Sequence, residues 1–295
     1  FIAQSVGMDH IGPFTFQAAR CALAVIGMLV VIWLLDKKAG RSFLDGWKNK
    51  RLWKAGLLCG IPLFLACDLQ QLGLVYTTAG KAGFLTAMYI VMVPILGVFV
   101  KRKMSFMAPI SVAIAVVGLY LLSFSGSTQI NIGDILMLLC AVMFAVQILA
   151  VDHFAADVDA VRLNCIQAGV VAVLSSVITL FTEDVQVNAL LNCWLPLCYT
   201  GFLSMGVAYS MQIIGQKRME PAAASLIMSL ESVFAVLSGW LVLGDVLSLY
   251  ESIGCVLIFI AIMLSQIPDI SEPYIDQKRD FAPRFRIFPN LFQES

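Results

Sequence analysis

Nine stretches of roughly 20 apolar residues, each closed off by a short polar hinge, constrain this chain more than any other feature. They run over about 13–35, 53–75, 79–100, 105–124, 134–152, 160–181, 190–214, 221–243 and 248–266. At 1.5 Å per residue, about 22 helical residues cross a hydrocarbon layer of ~30 Å, so each stretch is long enough to be a span. The chain of 295 residues is 60% hydrophobic and 13% charged, with mean hydropathy +0.90. That leaves too little polar surface for a soluble protein of this length, and the apolar residues fall in unbroken runs rather than on one face. The expected fold is an all-α integral membrane protein. Residues 1–6 look like the tail of a further helix whose beginning is missing, which makes ten helices with the first largely absent.

Pro13, Ser105, Asp134 and Pro221 stand where helix starts take a proline or a capping side chain. In the connecting loops Lys and Arg fall on alternate sides, weakly only at 152–159, which has acids and the following Arg162. Lys37, Lys38, Arg41, Lys48, Lys50 and Arg51 fill 36–52; Lys101, Arg102 and Lys103 follow, then Lys217 and Arg218. Lys278, Arg279, Arg284 and Arg286 lie in the tail, while 8–12, 125–133, 182–189 and 244–247 carry neither residue type. The positive-inside rule then places both termini in the cytoplasm and the protein in the cytoplasmic membrane as a multi-pass protein. The polar tail 267–295 reads as non-helical.

An internal repeat organises the rest. An offset of 138 residues lays Phe64-Leu65 on Phe202-Leu203 and VPILGV (93–98) on ESVFAV (231–236). An offset of 147 lays the helix starting at Pro13 on the one starting at Ala160. Five helices per half is an odd number, so the second half must enter the membrane inverted. The expected organisation is a first repeat over 1–124, a linker at 125–133, an inverted second repeat over 134–266, and the tail 267–295. Inverted repeats of this kind place a binding site near mid-depth, where the halves meet.

Eight cysteines lie in or beside apolar segments without a Cys-x-x-Cys pair, and His10 and His153 are far apart. No metal and no cofactor are expected. The partners expected are a small-molecule metabolite and membrane lipid, not nucleic acid, with the chain acting as a monomer or homodimer. Gly56-x-x-x-Gly60 and the run 222–225 allow close helix approach, and packing within one chain explains both.

The segments IGPFTFQAAR (11–20), TTAGKAGFLTAMYIVMVP (77–94), GVAYSMQIIGQKRMEPAAASLIMSLESVFAVLSGWLVLGD (206–245) and IGCVLIFIAIMLSQ (253–266) resemble the EamA-type permeases of the drug/metabolite transporter superfamily. The resemblance covers nearly all of the chain through residue 266. It implies ten helices in two inverted five-helix repeats, a central cavity worked by alternating access, and export or exchange of small metabolites such as amino acids. It implies a cavity walled by 53–75, 79–100, 134–152, 190–214, 221–243 and residues 1–6. Ser232 stands where the family pattern carries proline, so the kink that Pro94 predicts in the first half has no such cause in the second.

Polar residues inside spans are costly, and they face a cavity or one another. Arg20 and Asp68 fall at the same depth on neighbouring helices. Each alone would cost about 2.5–3.5 kcal/mol at a helix centre, so they are expected to pair, as a structural bridge, a gate, or a seat for the charged ends of a zwitterion. Gln71 lies one turn from Asp68, and Tyr209 and Gln212 lie on 190–214; the repeat puts Tyr209 over Gln71. These converge either to read a substrate or to bond the halves together, with Tyr89 and Gln147 as further cavity candidates. Glu231 reads as either a proton carrier or an interhelical hydrogen-bonding group, and Lys81 as either a snorkelling cation or an outer gate.

No HExxH, Gly-x-Ser-x-Gly, phosphate loop or clustered carboxylates occur, so there is no catalytic group to assign and an enzyme is not expected. A lipid or lipid-linked-group flippase is the nearest rival to a metabolite carrier, ahead of a membrane-embedded transferase. A passive channel lacks its ring of like charges.

Overall fold

The computed structural model describes residues 2–8, 11–77, 79–99, 107–122, 131–185, 187–238 and 249–265. Within these, every regular element is helical: α1 (Ile2–Met8), α2 (Pro13–Lys38), α3 (Lys50–Leu74), α4 (Ala79–Ala87), α5 (Tyr89–Phe99), α6 (Ala108–Leu122), α7 (Ile132–Phe154) and α8 (Ala160–Thr182) come first. They are followed by α9 (Val187–Asn192), α10 (Trp194–Cys198), a π-helical stretch (Tyr199–Ala208), α11 (Tyr209–Gln216), α12 (Pro221–Met228), α13 (Leu230–Ser238) and α14 (Leu249–Ser265). Among the described residues, 6 helices are long and apolar enough to cross a membrane, and shorter apolar helices cover Ala108–Leu121, Pro221–Phe234 and Ser252–Ser265. Together they fall on the nine apolar stretches. Ser105, most of the 125–133 linker and the tail 267–295 lie outside the described residues.

The bundle holds polar groups among its buried apolar side chains and turns large apolar side chains outward. Gln17, Gln71, Gln147, Asn164 and Gln167 are all 0% exposed, whereas Phe99, Leu180 and Phe181 are 80%, 78% and 84% exposed. Water would penalise that arrangement; lipid rewards it, because polar groups at membrane depth find partners only within the bundle.

The two halves run in opposite directions, and two contacts show it. The carboxylate of Glu183, just past the end of α8, takes the first N–H groups of α2: Phe14 at 3.0 Å and Thr15 at 2.8 Å, with the Thr15 hydroxyl at 2.6 Å. At the other end Asp36, in the last turn of α2, is ion-paired with Arg162, in the first turn of α8. The 147-residue offset maps Asp36 onto Glu183 and Thr15 onto Arg162. Repeat-related carboxylates thus fasten opposite ends of an antiparallel pair, Glu183 on backbone N–H groups and Asp36 on a guanidinium. An anion at a helix N-terminus complements its free N–H groups and dipole. Arg162 is further enclosed by Asp159 at 3.6 Å and by the Trp47 ring at 5.9 Å.

Helix starts follow the sequence. Pro13 and Pro221 occupy first-turn positions. Asp134 takes part in a capping box, but Asn131 is the cap itself: its side chain accepts from the Asp134 N–H at 3.0 Å, and Asp134 accepts from the Asn131 N–H at 3.0 Å.

Three expected spans are interrupted. The 79–100 span breaks at Met88 and the 221–243 span at Ser229. At both breaks hydrogen bonding shortens to i→i+3, with Met88 N–H on Leu85 at 3.2 Å and Ser232 N–H on Ser229 at 3.1 Å. The second break needs no proline. The hydroxyls of Ser225 and Ser229 take the carbonyls of Ala222 and Leu226 at 2.7 and 2.6 Å, a pattern that bends helices. In the first half Pro94 lies inside continuous α5 and the break falls six residues before it, at Met88; in the second half serine chemistry supplies the break. The third interruption, in 190–214, is the π-helical stretch, whose irregular carbonyls are taken by Asn164 and by the Ser210 hydroxyl, which donates to Gly206 O at 2.6 Å. Asn164 donates to Met205 O at 2.8 Å and Gly206 O at 3.2 Å.

Helix approach relies on glycine where backbones cross. A methyl at Gly56 would lie 2.4 Å from Ile166, and one at Gly60 would lie 2.9 Å from Val170, so both glycines seat α3 on α8. Gly56→Leu is expected to destabilise the fold by about 1–3 kcal/mol through overpacking, read as a lower melting temperature in detergent. Gly215→Ala, where a methyl meets nothing within 4 Å, should leave the melting temperature unchanged.

Candidate functional site

The polar interior divides into two clusters, one in the half of the bundle nearer Pro13 and one nearer the basic connection 39–49. The first is built on α2 and α3. Arg20 is 4% exposed, and its Nε donates to Gln17 Oε1 at 2.7 Å, one turn earlier on α2. With the Gln4 amide oxygen turned towards it, Nη1 and Nη2 donate there at 2.7 and 3.3 Å. The same Gln4 amide lies 3.1 Å from that of Gln71. The remaining nitrogen position of the Gln71 amide is buried without a partner.

The expected Arg20–Asp68 pair is not in contact. Asp68 instead accepts from the Ser175 hydroxyl on α8, at 2.8 and 3.1 Å to its two oxygens. The geometric cause is the position of α8, which packs against both α2 and α3 and puts a hydroxyl nearer the carboxylate than the guanidinium comes. Nor does a hydrogen bond join Gln71 to Tyr209. The Gln4 amide lies against the former at 3.1 Å.

Glu231 is exposed, yet it lies within electrostatic range of Arg20, Tyr89, Cys140 and Tyr209, which stand on four other helices. A side chain accessible to solvent and encircled in this way opens onto an internal space. Tyr89, 7% exposed, sits edge-on to Phe144 with ring centroids 6.4 Å apart. Lys81 belongs to α4, but its side chain lies outside the described residues.

The second cluster is a chain of amides across three helices. Gln212 on α11 donates to Gln147 on α7 at 3.4 Å, and Gln147 donates to Gln167 on α8 at 3.2 Å. One nitrogen of Gln167 and both polar atoms of the Gln216 amide are buried without partners. No group of three or more metal-ligating side chains occurs among the described residues.

Sequence reasoning placed Gln71, Tyr209, Gln147 and Gln212 in the interior but passed over Gln4, Gln17, Ser175 and Asn164. A signal for two of them was available. The 147-residue offset carries Gln17 onto Asn164 and Arg20 onto Gln167, so the two clusters are repeat-related.

A polar, partly unsatisfied interior inside an apolar shell, built from two antiparallel halves with a broken helix in each, is the construction of a membrane carrier. The EamA-like transporter family matches residues 1–124 and 131–266, and the chain belongs to that family, a part of the drug/metabolite transporter superfamily. An uncharacterised transporter of Archaeoglobus fulgidus is 33% identical over 271 residues, covering 90% of this chain and 80% of that protein. A solved structure, described only as the crystal structure of a protein, superposes with a TM-score of 0.68 at 18% identity. It covers 90% of this chain and 93% of its own, a likeness of fold alone.

The Asp68–Ser175 contact is testable by a double-mutant cycle. Hydrogen bonds to charged groups contribute about 1.5–3 kcal/mol. Asp68→Asn and Ser175→Ala should each lower unfolding stability in mixed micelles, and the double variant should lose less than the sum by about that amount.

Proposed function

We propose that this transporter carries small polar metabolites, amino acids foremost, out of the cell across the cytoplasmic membrane by alternating access, coupled to protons through Glu231. The observation that carries this reading is the pairing of a buried guanidinium on neutral amides with a carboxylate facing an internal space. Both features are expensive at membrane depth, and a carrier of polar cargo uses such groups. The Lys and Arg loops support a cytoplasmic placement of both termini. Gly56 and Gly60 are occupied by α8 within the chain, which favours a monomer.

The surroundings of Glu231 support proton coupling. Two tyrosines and a cysteine lie near it, and its one described cationic neighbour, Arg20, is not in ion-pair contact. A carboxylate so placed exchanges a proton when the space beside it opens to either side.

Reconstitution in vesicles with labelled amino acids, with and without a pH gradient, tests the reading. The gradient should accelerate transport by the native protein. In Glu231→Gln the rates with and without the gradient should become equal, while the melting temperature stays near the native value. Movement of labelled lipid between leaflets, with no amino acid transported, would support the flippase instead.

A further inference from the structure

We infer that Asp68 and Gln71 on α3, together with Ser175 and Thr179 on α8, bind one sodium ion between the two helices. The first observation is the way α8 uses its hydroxyls. Ser176 and Thr182, both exposed, return theirs to the helix's own carbonyls, at 2.6 Å to Ala172 O and 2.8 Å to Ile178 O. That is the ordinary habit of such side chains inside a helix. Ser175 and Thr179, both buried, depart from it. The Ser175 hydroxyl goes to Asp68, and Thr179 Oγ1 has no partner. One turn apart, these two hydroxyls share a face of α8, the face that meets α3.

α3 brings matching groups to that face. The two helices run in the same direction, and Gly56 against Ile166, Gly60 against Val170 and Asp68 on Ser175 follow one another along both. One turn further on, Gln71 comes level with Thr179, and it shares the face of Asp68. The hydrogen-bond network assigns the orientation of the Gln71 amide. Gln4 turns its oxygen to Arg20, at 2.7 and 3.3 Å, and that same oxygen stands 3.1 Å from Gln71. Gln71 must meet it with an N–H. Its own oxygen then takes the amide end that is buried without a partner.

The donor set selects the ligand. A carboxylate, two hydroxyls and an amide oxygen are hard ligands, with no thiolate or imidazole among them, so they suit an alkali or alkaline-earth ion rather than a transition metal. Among the described residues the Asp68 carboxylate has one hydrogen-bond donor and no ion pair. It is the single carboxylate of the set, which matches one positive charge; calcium takes more oxygens, carboxylates chief among them. The spacing is tight, with both Asp68 oxygens within 3.1 Å of the Ser175 hydroxyl, and that favours sodium over the larger potassium ion. All four side chains are buried, so a substrate ammonium would have no outlet for the molecule attached to it. A bare ion fits, and it ties α3 to α8 through oxygens that otherwise stay unsatisfied.

The test uses the full chain in detergent. Melting temperatures are read in sodium, potassium and choline chloride at equal ionic strength, and binding of radiolabelled sodium is measured alongside. Sodium should raise the native melting temperature saturably, by about 2–5 °C over choline, and potassium by less than half as much. Thr179→Val keeps the shape and loses the oxygen. It should abolish both the sodium shift and the bound label, and Thr179→Ser should retain both. Asp68→Asn should also abolish both; where it does not fold, Thr179→Val carries the test. Glu231, on α13, takes no part in the site, so Glu231→Gln should keep the native sodium shift whatever becomes of proton coupling. Three results overturn the inference. They are equal native melting temperatures in the three salts with no bound label, an equal rise in sodium and potassium, and a sodium shift that survives undiminished in Thr179→Val.

Discussion

The contact between the end of one long helix and the start of another, made once by Glu183 on α2 and once by Asp36 on Arg162, is what holds the interior together. Glu183, just past α8, takes the free N–H groups in the first turn of α2, and Asp36, in the last turn of α2, pairs with the Arg162 guanidinium in the first turn of α8. Because α2 and α8 are fastened at both ends, Gln17 and Arg20 on one and Asn164 and Gln167 on the other are held at fixed depths. α3 then packs across the pair through Gly56 and Gly60, bringing Asp68 to Ser175 and Gln71 to Gln4. The polar clusters are consequences of that frame.

The same frame explains how the interior divides its charges. The repeat would give two equivalent clusters, but Arg20 in one half faces Gln167 in the other, and Asp68 corresponds to Gly206. One cluster is ionic and the other is a relay of neutral amides through Gln147, Gln167 and Gln212. Charge-assisted bonds are therefore available at one cluster and only weaker neutral ones at the other.

Much of this was legible in the chain, and the limits are physical. Span positions followed from hydrophobic runs because the bilayer imposes length, and inversion followed from parity. Interior placement of Gln71, Gln147 and Tyr209 followed from the cost of polar groups in lipid. The partners did not follow. Whether Asp68 meets Arg20 or Ser175 depends on helix rotation and on which third helix intervenes, and one-dimensional depth carries neither. The breaks at Met88 and Ser229 were hidden for another reason. Hydropathy runs unbroken through both, and at Ser229 the cause is the habit of serine hydroxyls to take backbone carbonyls, not a proline.

Those two breaks leave a final point. Each lies near the middle of its span, one in each half of an inverted pair, so the bundle has matched elbows at similar depth. An elbow lets the arm above it swing while the arm below stays docked. With α2 and α8 braced at both ends, the two mouths of the pathway need not move in lockstep. In the proposed alternating-access cycle, both mouths can be shut at once, enclosing the cargo before either side is committed to release.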